Sequence, residues 1–542
     1  MDKIVVRNTC IIINDYDLGD CEALENAFRV FDPVLHRSNI YGVFYDQENR
    51  KLYLPAGLDL WKIRKYFNEK YYKRENNHPY KIIDDIKVRY APRDEVQSES
   101  LRFMIGVNEY EENAYQPALS VNLNTGKGKT YCSIATISFF KIKSIIITGS
   151  STLLNQWGEE ILRYTNLKPN DIVFIKGSDA INMILMGKSN KADNGKIFLC
   201  THDTLKSFGD RYGWEKVGQL FEYLGIGLKF FDEAHTNFTN MLMIDYFTNV
   251  FRTYYVTATP GRSSWAENRV FQLSIKNIPS IDLFDENNDP RSSYVAIKYN
   301  SKPTPQQISA CKNFKYGLDR MKYIDYLTKQ PAFYDMLRII MDLVIKCKGR
   351  VLFYVGTNDG ILRVYHWMAT NYPEFLGDIG IFTSLVPADK KMEEKKKKLL
   401  LSTTKSAGLG EHIPGLKMTI VLAEPFKSEI IARQTLGRTR DSNTMYIELV
   451  DLGFKYTKKY YYSKLPIFNK YATDVSDTHI DDYELRRRAE TLLKERTHWQ
   501  QSPIELDDNR FDFEGIIPRK ESHIGPVKPI IFVNEEINPY IL

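Results

Sequence analysis

Lys129 and Thr130, standing behind two glycines, are the first residues of this chain whose types and spacing could do chemistry. They close the stretch Asn122-Leu123-Asn124-Thr125-Gly126-Lys127-Gly128-Lys129-Thr130. An apolar run, 118–123, precedes it and a helix-like run, Tyr131 to Phe140, follows. Strand, Gly-rich loop and helix, in that order, are what a phosphate-binding loop requires. The glycines let the backbone turn its N–H groups inward onto an anion, and the helix adds the positive end of its dipole. In this reading Thr125, Gly126, Lys127 and Gly128 wrap the phosphates of ATP. Lys129 reaches the β- and γ-phosphates, and the Thr130 hydroxyl sits on Mg²⁺. Leu123 stands where such a loop usually has its first glycine. Alone, the stretch reads equally well as an ordinary glycine turn; its partners downstream decide.

The second anchor is Phe230-Phe231-Asp232-Glu233-Ala234-His235. A carboxylate ending a buried strand beside a phosphate loop is where Mg²⁺ is held in such ATPases, which assigns Asp232 to the metal. Glu233 is placed to orient and deprotonate the attacking water. Acidic residues at a strand-to-helix junction are also common helix caps. The pairing with the loop about a hundred residues upstream is what favours the chemical reading. Val256-Thr257-Ala258-Thr259-Pro260 ends another strand, where Thr257 and Thr259 can bond to the acidic motif and sense the γ-phosphate. Gln434-Thr-Leu-Gly437-Arg438-Thr-Arg440 supplies arginines that could stabilise charge on the transferred phosphoryl group.

The elements that must position these residues follow from the apolar pattern. Runs such as 144–148, 196–201, 227–231 and 254–257, alternating with helices, indicate a parallel sheet covered on both faces. A looser segment, 263–290, marks a boundary, and a second α/β unit follows with runs at 350–355, 380–383, 399–402, 418–422 and 445–450. Residues 1–90 read as a small α+β module. It has a hairpin, 40–45 with 51–54, and a basic aromatic helix, Trp61 to Lys73, carrying Lys62, Arg64, Lys65, Lys70, Lys73 and Arg74. A solvated helix face and a DNA backbone contact both account for that cluster. Lys390 to Lys398 reads as a solvated lysine helix, and Asp481 to Trp499 as a helix before an extended arm.

The whole chain has 542 residues, a net charge of +6, 43% hydrophobic and 26% charged residues. Such values are ordinary for a soluble globular protein, and the charge allows nucleic-acid binding without arguing for it. Six scattered cysteines with no CxxC pair, and nine scattered histidines, give no zinc-ligand spacing. No apolar run approaches the roughly 18 residues of a membrane span, and the N-terminus is not a signal peptide. A soluble, cytoplasmic protein is expected, in the host cytoplasm if the source is viral.

With these motifs in place, residues 92 to 455 resemble a superfamily 2 helicase, in the branch of XPB, RecG and phage UvsW-type enzymes. Asp232-Glu-Ala-His235 is similar to the DEAH form of motif II, and Thr257-Ala-Thr259 to motif III. Gly149-Ser-Ser-Thr-Leu-Leu-Asn-Gln-Trp157 resembles motif Ia, Cys200-Thr201-His-Asp-Thr204-Leu205 motif Ib, and 403–410 with 413–415 motif V. The resemblance implies Gln97 for adenine recognition, Gly410 at the nucleotide, and His235 with Thr257 and Thr259 in coupling. It implies that Ser150, Thr201, Thr357 and Thr404 contact a nucleic-acid backbone, so that DNA is bound independently of sequence. Motif V usually has Asp where this chain has His412. In motif VI the second arginine comes one residue early, which leaves the finger open between Arg438 and Arg440.

The implied architecture is α/β, with two tandem RecA-like domains and ATP in the cleft between them. The expected divisions are an N-terminal module (1–90), first domain (91–278), second domain (279–458) and C-terminal extension (459–542). The implied function is an ATP-dependent DNA helicase or translocase acting on branched DNA in replication, recombination or repair. An RNA helicase or transcription-associated translocase is the alternative within the same class. A restriction-system motor would normally bring a nuclease site, and none is evident. A nucleotide-gated binding protein with little turnover is opposed by Lys129, Asp232, Glu233 and Arg438 together.

Overall fold

A computed structural model describes residues 2–492, apart from 18–21, 33–36, 41, 124–126, 235–236, 258–264, 284–291, 314–316, 388–389, 408–412, 428, 437–443, 482, 485–486 and 489–490. The chain forms two compact units, one running to Asp285 and the other starting at Glu286.

The first unit begins with a five-stranded sheet. Its strands are β1 (Ile4–Val6), β2 (Cys10–Ile13), β3 (Phe44–Asp46), β4 (Lys51–Pro55) and β5 (Lys73–Arg74), in the order β3-β4-β2-β1-β5. The expected hairpin is present with a shorter first strand, β3 pairing antiparallel with β4, while Ile40 pairs instead with Arg29 in a separate antiparallel pair. Helix α1 (Leu60–Tyr66) starts where the Asp59 carboxylate accepts the N–H groups of Trp61 and Lys62. It stops well short of the expected Lys73, because Asn68 adopts a left-handed φ of 53° that ends the turn. The basic cluster therefore spans a helix, a turn and an edge strand.

The central sheet of this unit is fully parallel. Helix α2 (Glu95–Ile105) leads into β6 (Ala118–Asn122), α3 (Lys129–Phe140), β7 (Ser144–Thr148), α4 (Ser151–Tyr164) and β8 (Ile172–Ile175). Next come β9 (Ile197–Thr201), α5 (His202–Tyr212), β10 (Leu228–Asp232), α6 (Phe238–Phe247), β11 (Arg252–Thr257) and β12 (Ser280–Asp282). The spatial order is β8-β9-β7-β10-β11-β6-β12. Alternate residues face opposite cores: Ile145, Ile147 and Phe231 point to one, Ile146 and Phe230 to the other. Two covered faces explain why the strands read as unbroken apolar runs.

The N-terminal sheet is a small module whose core is continuous with that of the parallel sheet's covering helix α6. Tyr53 stacks on Phe247 of α6 with ring centroids 5.1 Å apart, and the Asn8 amide donates to the carbonyls of Val250 and Phe251 at 3.1 Å. One continuous apolar cluster joins Ile4, Ile12 and Leu54 to Leu242 and Ile244. A sheet this short buries too little apolar surface alone, so it borrows a wall from α6.

The second unit repeats the topology. Its strands are β13 (Ser293–Tyr299), β14 (Arg350–Tyr354), β15 (Ile379–Phe382), β16 (Leu399–Ser402), β17 (Leu416–Val421), β18 (Met445–Asp451) and β19 (Val475–His479). Their order is β15-β16-β14-β17-β18-β13-β19, all parallel. Counting strands within each sheet, both units read 3-4-2-5-6-1-7, the tandem RecA-like arrangement. Helices α7 (Asn358–Asn371), α8 (Thr404–Ala407), α9 (Glu429–Leu436) and α10 (Lys455–Tyr471) connect or follow the strands. The lysine segment expected as a helix over 390–398 is helical only at Lys391–Glu394. Each sheet also outruns its expected boundary: β12 adds residues beyond 278 to the first, and β19 adds residues beyond 458 to the second. Among the described residues no helix is long and apolar enough to cross a membrane.

Candidate nucleotide and nucleic-acid site

Ligands of parallel α/β sheets bind beyond the carboxyl ends of the strands, and the chemistry of the first unit collects there. Leaving β6, the chain reaches Gly128 at φ 93°, a left-handed conformation that favours glycine, and enters α3 with no side-chain cap. The first N–H groups of α3 thus have no capping side chain and point out of the helix, with the dipole behind them. A Cβ on Gly128 would lie 2.2 Å from Gln97 Nε2, so Gln97 lies against the loop. Its Nε2 donates to the Lys127 carbonyl at 3.2 Å, and its Oε1 accepts from Arg93 N–H at 2.9 Å. The Asp94 side chain caps the same helix by accepting from Gln97 N–H at 3.0 Å. Gln97, expected at the adenine, therefore also ties the phosphate loop to the start of α2.

Lys129 opens α3, and its Nζ lies 3.7 Å from Glu233 Oε1, with both side chains about nine-tenths buried. Glu233 follows the last residue of β10 and has φ 52°. Left-handed backbone at a non-glycine residue costs on the order of 1 kcal/mol and persists where the surroundings enforce it. Asp232, one residue earlier, is buried, and its Oδ2 accepts from the indole N–H of Trp157 at 2.9 Å. Burial, and then the neighbouring Glu233 carboxylate, raise the Asp232 acid to about 6, while Lys129 and the indole oppose the rise. Thr257 ends β11 and is buried, and its carbonyl accepts from Leu123 N–H at 3.0 Å. These contacts place 97, 127–130, 157, 232–233 and 257 at one edge.

These residues fit a nucleotide with its divalent ion. Among the described residues no cluster of three or more His, Cys, Asp or Glu could hold a metal alone. One carboxylate and one threonine hydroxyl suit a Mg²⁺ that keeps waters and phosphate oxygens as its other ligands.

Four hydroxyls stand in a related pattern. Ser150 caps α4 by accepting from Leu153 N–H at 3.3 Å, and Thr201 caps α5 by accepting from Thr204 N–H at 3.1 Å. Their strands β7 and β9 are neighbours, which sets the two caps side by side. In the second unit Thr357 caps α7, accepting from Gly360 N–H at 3.1 Å. Thr404 begins α8 after the neighbouring strand. Its N–H and hydroxyl both go to Glu424, at 2.8 and 2.5 Å, and Glu424 also pairs with Arg320. The Thr404 donor is thus committed to an internal carboxylate.

Thr125, Gly126, His235, Thr259, Gly410, Arg438 and Arg440 lie outside the described residues, and of Gln434 only the backbone, in α9, is described. Three residues that bear on the site carried no role in the sequence: Trp157, Arg320 and Glu424. The Gln-Trp pair of motif Ia was the available signal for the first. Its partner stands 75 residues away, beyond any local spacing rule.

A glycine turn and helix N-terminus facing a carboxylate pair at the carboxyl edge of a parallel sheet form the arrangement a P-loop nucleotide site requires. Residues 87–262 match the family described as the res subunit of type III restriction enzymes. A curated relative is the general transcription and DNA repair factor IIH helicase/translocase subunit XPB of Enterocytozoon bieneusi (strain H348), 24% identical over 250 residues. That match covers 43% of this chain and 40% of the relative, so it spans less than half of the relative's length. Among solved structures, T4 UvsW aligns over 89% of this chain and 100% of its own, at 13% identity and a TM-score of 0.33. Dbp5 of S. cerevisiae, bound to RNA and ADP BeF3, aligns over 81% and 98%, at 15% identity and a TM-score of 0.47. The family match and the curated relative show what this chain is similar to: helicases and translocases of the superfamily 2 kind.

Proposed function

We propose that this chain is an ATP-driven motor that unwinds or remodels DNA, with branched DNA as its substrate. The observation that carries the reading is the Lys129–Glu233 pair beside the Trp157-held Asp232, on the same sheet edge as the Ser150 and Thr201 caps. In this reading the N–H groups of residues 126–130 cradle the phosphates of ATP, and Lys129 turns from Glu233 to the β- and γ-phosphates. Glu233, released, orients and deprotonates the attacking water. Bound Mg²⁺, held by Thr130 and Asp232, would neutralise the charge that develops on the phosphates. Gln97 reads the adenine through the bonding capacity its amide still has. Arg438 or Arg440 would supply positive charge to the transferred group, and Gln434 an uncharged hydrogen bond. Gly410 would contact the nucleotide, and His235, Thr257 and Thr259 would relay its state.

Helix caps at Ser150 and Thr201 present N–H groups and hydroxyls to a phosphate backbone without reading bases. Thr357 and Thr404 would do the same from the second unit, Thr404 once Glu424 lets go. DNA is favoured over RNA by the UvsW-like motifs and by the curated relative's description as a helicase/translocase subunit of a general transcription and DNA repair factor.

The test is steady-state ATP hydrolysis at low salt, without nucleic acid and then with single-stranded DNA, duplex DNA, a fork, a four-way junction and RNA. Stimulation by branched or single-stranded DNA supports the proposal. Stimulation by RNA alone replaces it with an RNA helicase, and no turnover under any condition leaves only a nucleotide-gated binding protein.

A further inference from the structure

Asp232, at the end of β10, is held from helix α4 by a group that can neither bind a metal nor give up its proton. Trp157 Nε1 donates to Asp232 Oδ2 at 2.9 Å, and the two residues are 3% and 9% exposed. We propose that Trp157 is a positioning residue for the Mg²⁺-nucleotide site: its indole N–H fixes the direction of the Asp232 carboxylate. The inference rests on residues 127–130 and 232–233 being that site.

The chemistry of the donor is the argument. Without a holder, the buried Asp232 carboxylate would be free to rotate toward the ammonium of Lys129, which lies 3.7 Å from the adjacent Glu233, and so leave the metal position. A hydroxyl or amide could reverse its hydrogen bond or bind the cation itself. An indole N–H is a donor only, so it occupies one oxygen without competing for the ion. Its ring is locked by packing, since Trp157 belongs to the same apolar cluster as Leu154, Ile161 and Phe230. Outer partners of this kind typically account for a 10- to 100-fold effect on metal affinity. Trp157 also lies two turns along α4 from the Ser150 cap, so one rigid helix carries both a candidate backbone contact and the holder of Asp232.

The experiment measures the affinity of the full chain for a fluorescent ATP analogue, in Mg²⁺ and in EDTA, with melting temperature as a folding control. The variants are Trp157→Phe and a chain carrying β-(3-benzothienyl)alanine at 157, which keeps the ring shape and lacks the N–H. The expected result is that both variants lose about tenfold of the affinity gained from Mg²⁺. In the benzothienyl chain the affinity in EDTA stays at the parent value, and the melting temperature falls by no more than the loss of one buried hydrogen bond explains. An unchanged Mg²⁺ gain in the benzothienyl chain overturns the inference, whatever Trp157→Phe does to folding. If the parent itself gains nothing from Mg²⁺, the reading of the site fails and the inference falls with it.

Discussion

Lys129 Nζ lies 3.7 Å from Glu233 Oε1, joining the first residue of α3 to the residue just beyond β10. In the proposed mechanism Lys129 pairs with Glu233 until a phosphate competes for it. Glu233→Gln is expected to keep nucleotide binding while turnover falls by roughly 10²- to 10⁴-fold. Lys129→Ala should lose the binding itself. Fluorescent-nucleotide titration beside a phosphate-release assay separates the two, and Glu233→Gln turnover at the parent rate would remove Glu233 from the mechanism.

The caps allow a charge-reversal experiment that spares the fold. Aspartate caps a helix as well as serine or threonine does, but repels a phosphate. Ser150→Asp and Thr201→Asp should melt within about 1 kcal/mol of the parent. Each should weaken single-stranded DNA binding by about tenfold at low salt, with the deficit shrinking as salt screens the charge. Parent-like affinity, measured by fluorescence anisotropy, would take these hydroxyls off the nucleic-acid path.

His202 follows Thr201 and stacks on Phe231, with ring centroids 5.6 Å apart. Burial depresses its pKa to about 3, and neither ring nitrogen has a hydrogen-bond partner. The unfolded chain takes up a proton near pH 6.5 that the folded chain refuses. Stability conferred by the neutral ring is complete above pH 6.5 and falls as pH drops toward 3, by about 1.4 kcal/mol per pH unit. His202→Phe, which keeps the stack, should flatten that part of the stability curve. Chemical denaturation between pH 7 and 5 reads it directly; identical slopes in parent and variant would contradict the assignment.

Lys229 and Asp245 form an ion pair at 2.5 Å with side chains 0% and 1% exposed, between β10 and α6. The Thr248 hydroxyl takes the ammonium at 2.7 Å, and the Tyr255 hydroxyl donates to the carboxylate at 2.7 Å. Lys229→Met should cost about 3–5 kcal/mol, because it strands a buried carboxylate. The double variant with Asp245→Leu should recover most of that loss in equilibrium unfolding. Additive losses would mean that the two charges are not paired in solution.

The sequence by itself determined the alternation of strands and helices and marked Lys129, Asp232 and Glu233 as candidates for the site. Those signals are local: an apolar run of five residues covered on both faces, or Gly126 and Gly128 ahead of Lys129, needs no distant partner to be read. The segments it misjudged depend on distant partners or on a single dihedral. Helix α1 ends at the left-handed Asn68 rather than at Lys73. The N-terminal sheet shares a core with α6, because a surface too small to bury alone takes whatever wall the rest of the chain offers. Trp157 on Asp232 and Glu424 on Thr404 belong to the same class. Parallel crossovers bring together side chains that lie 75 and 20 residues apart. Which oxygen meets which donor is decided only when the sheet and its covering helices are in register.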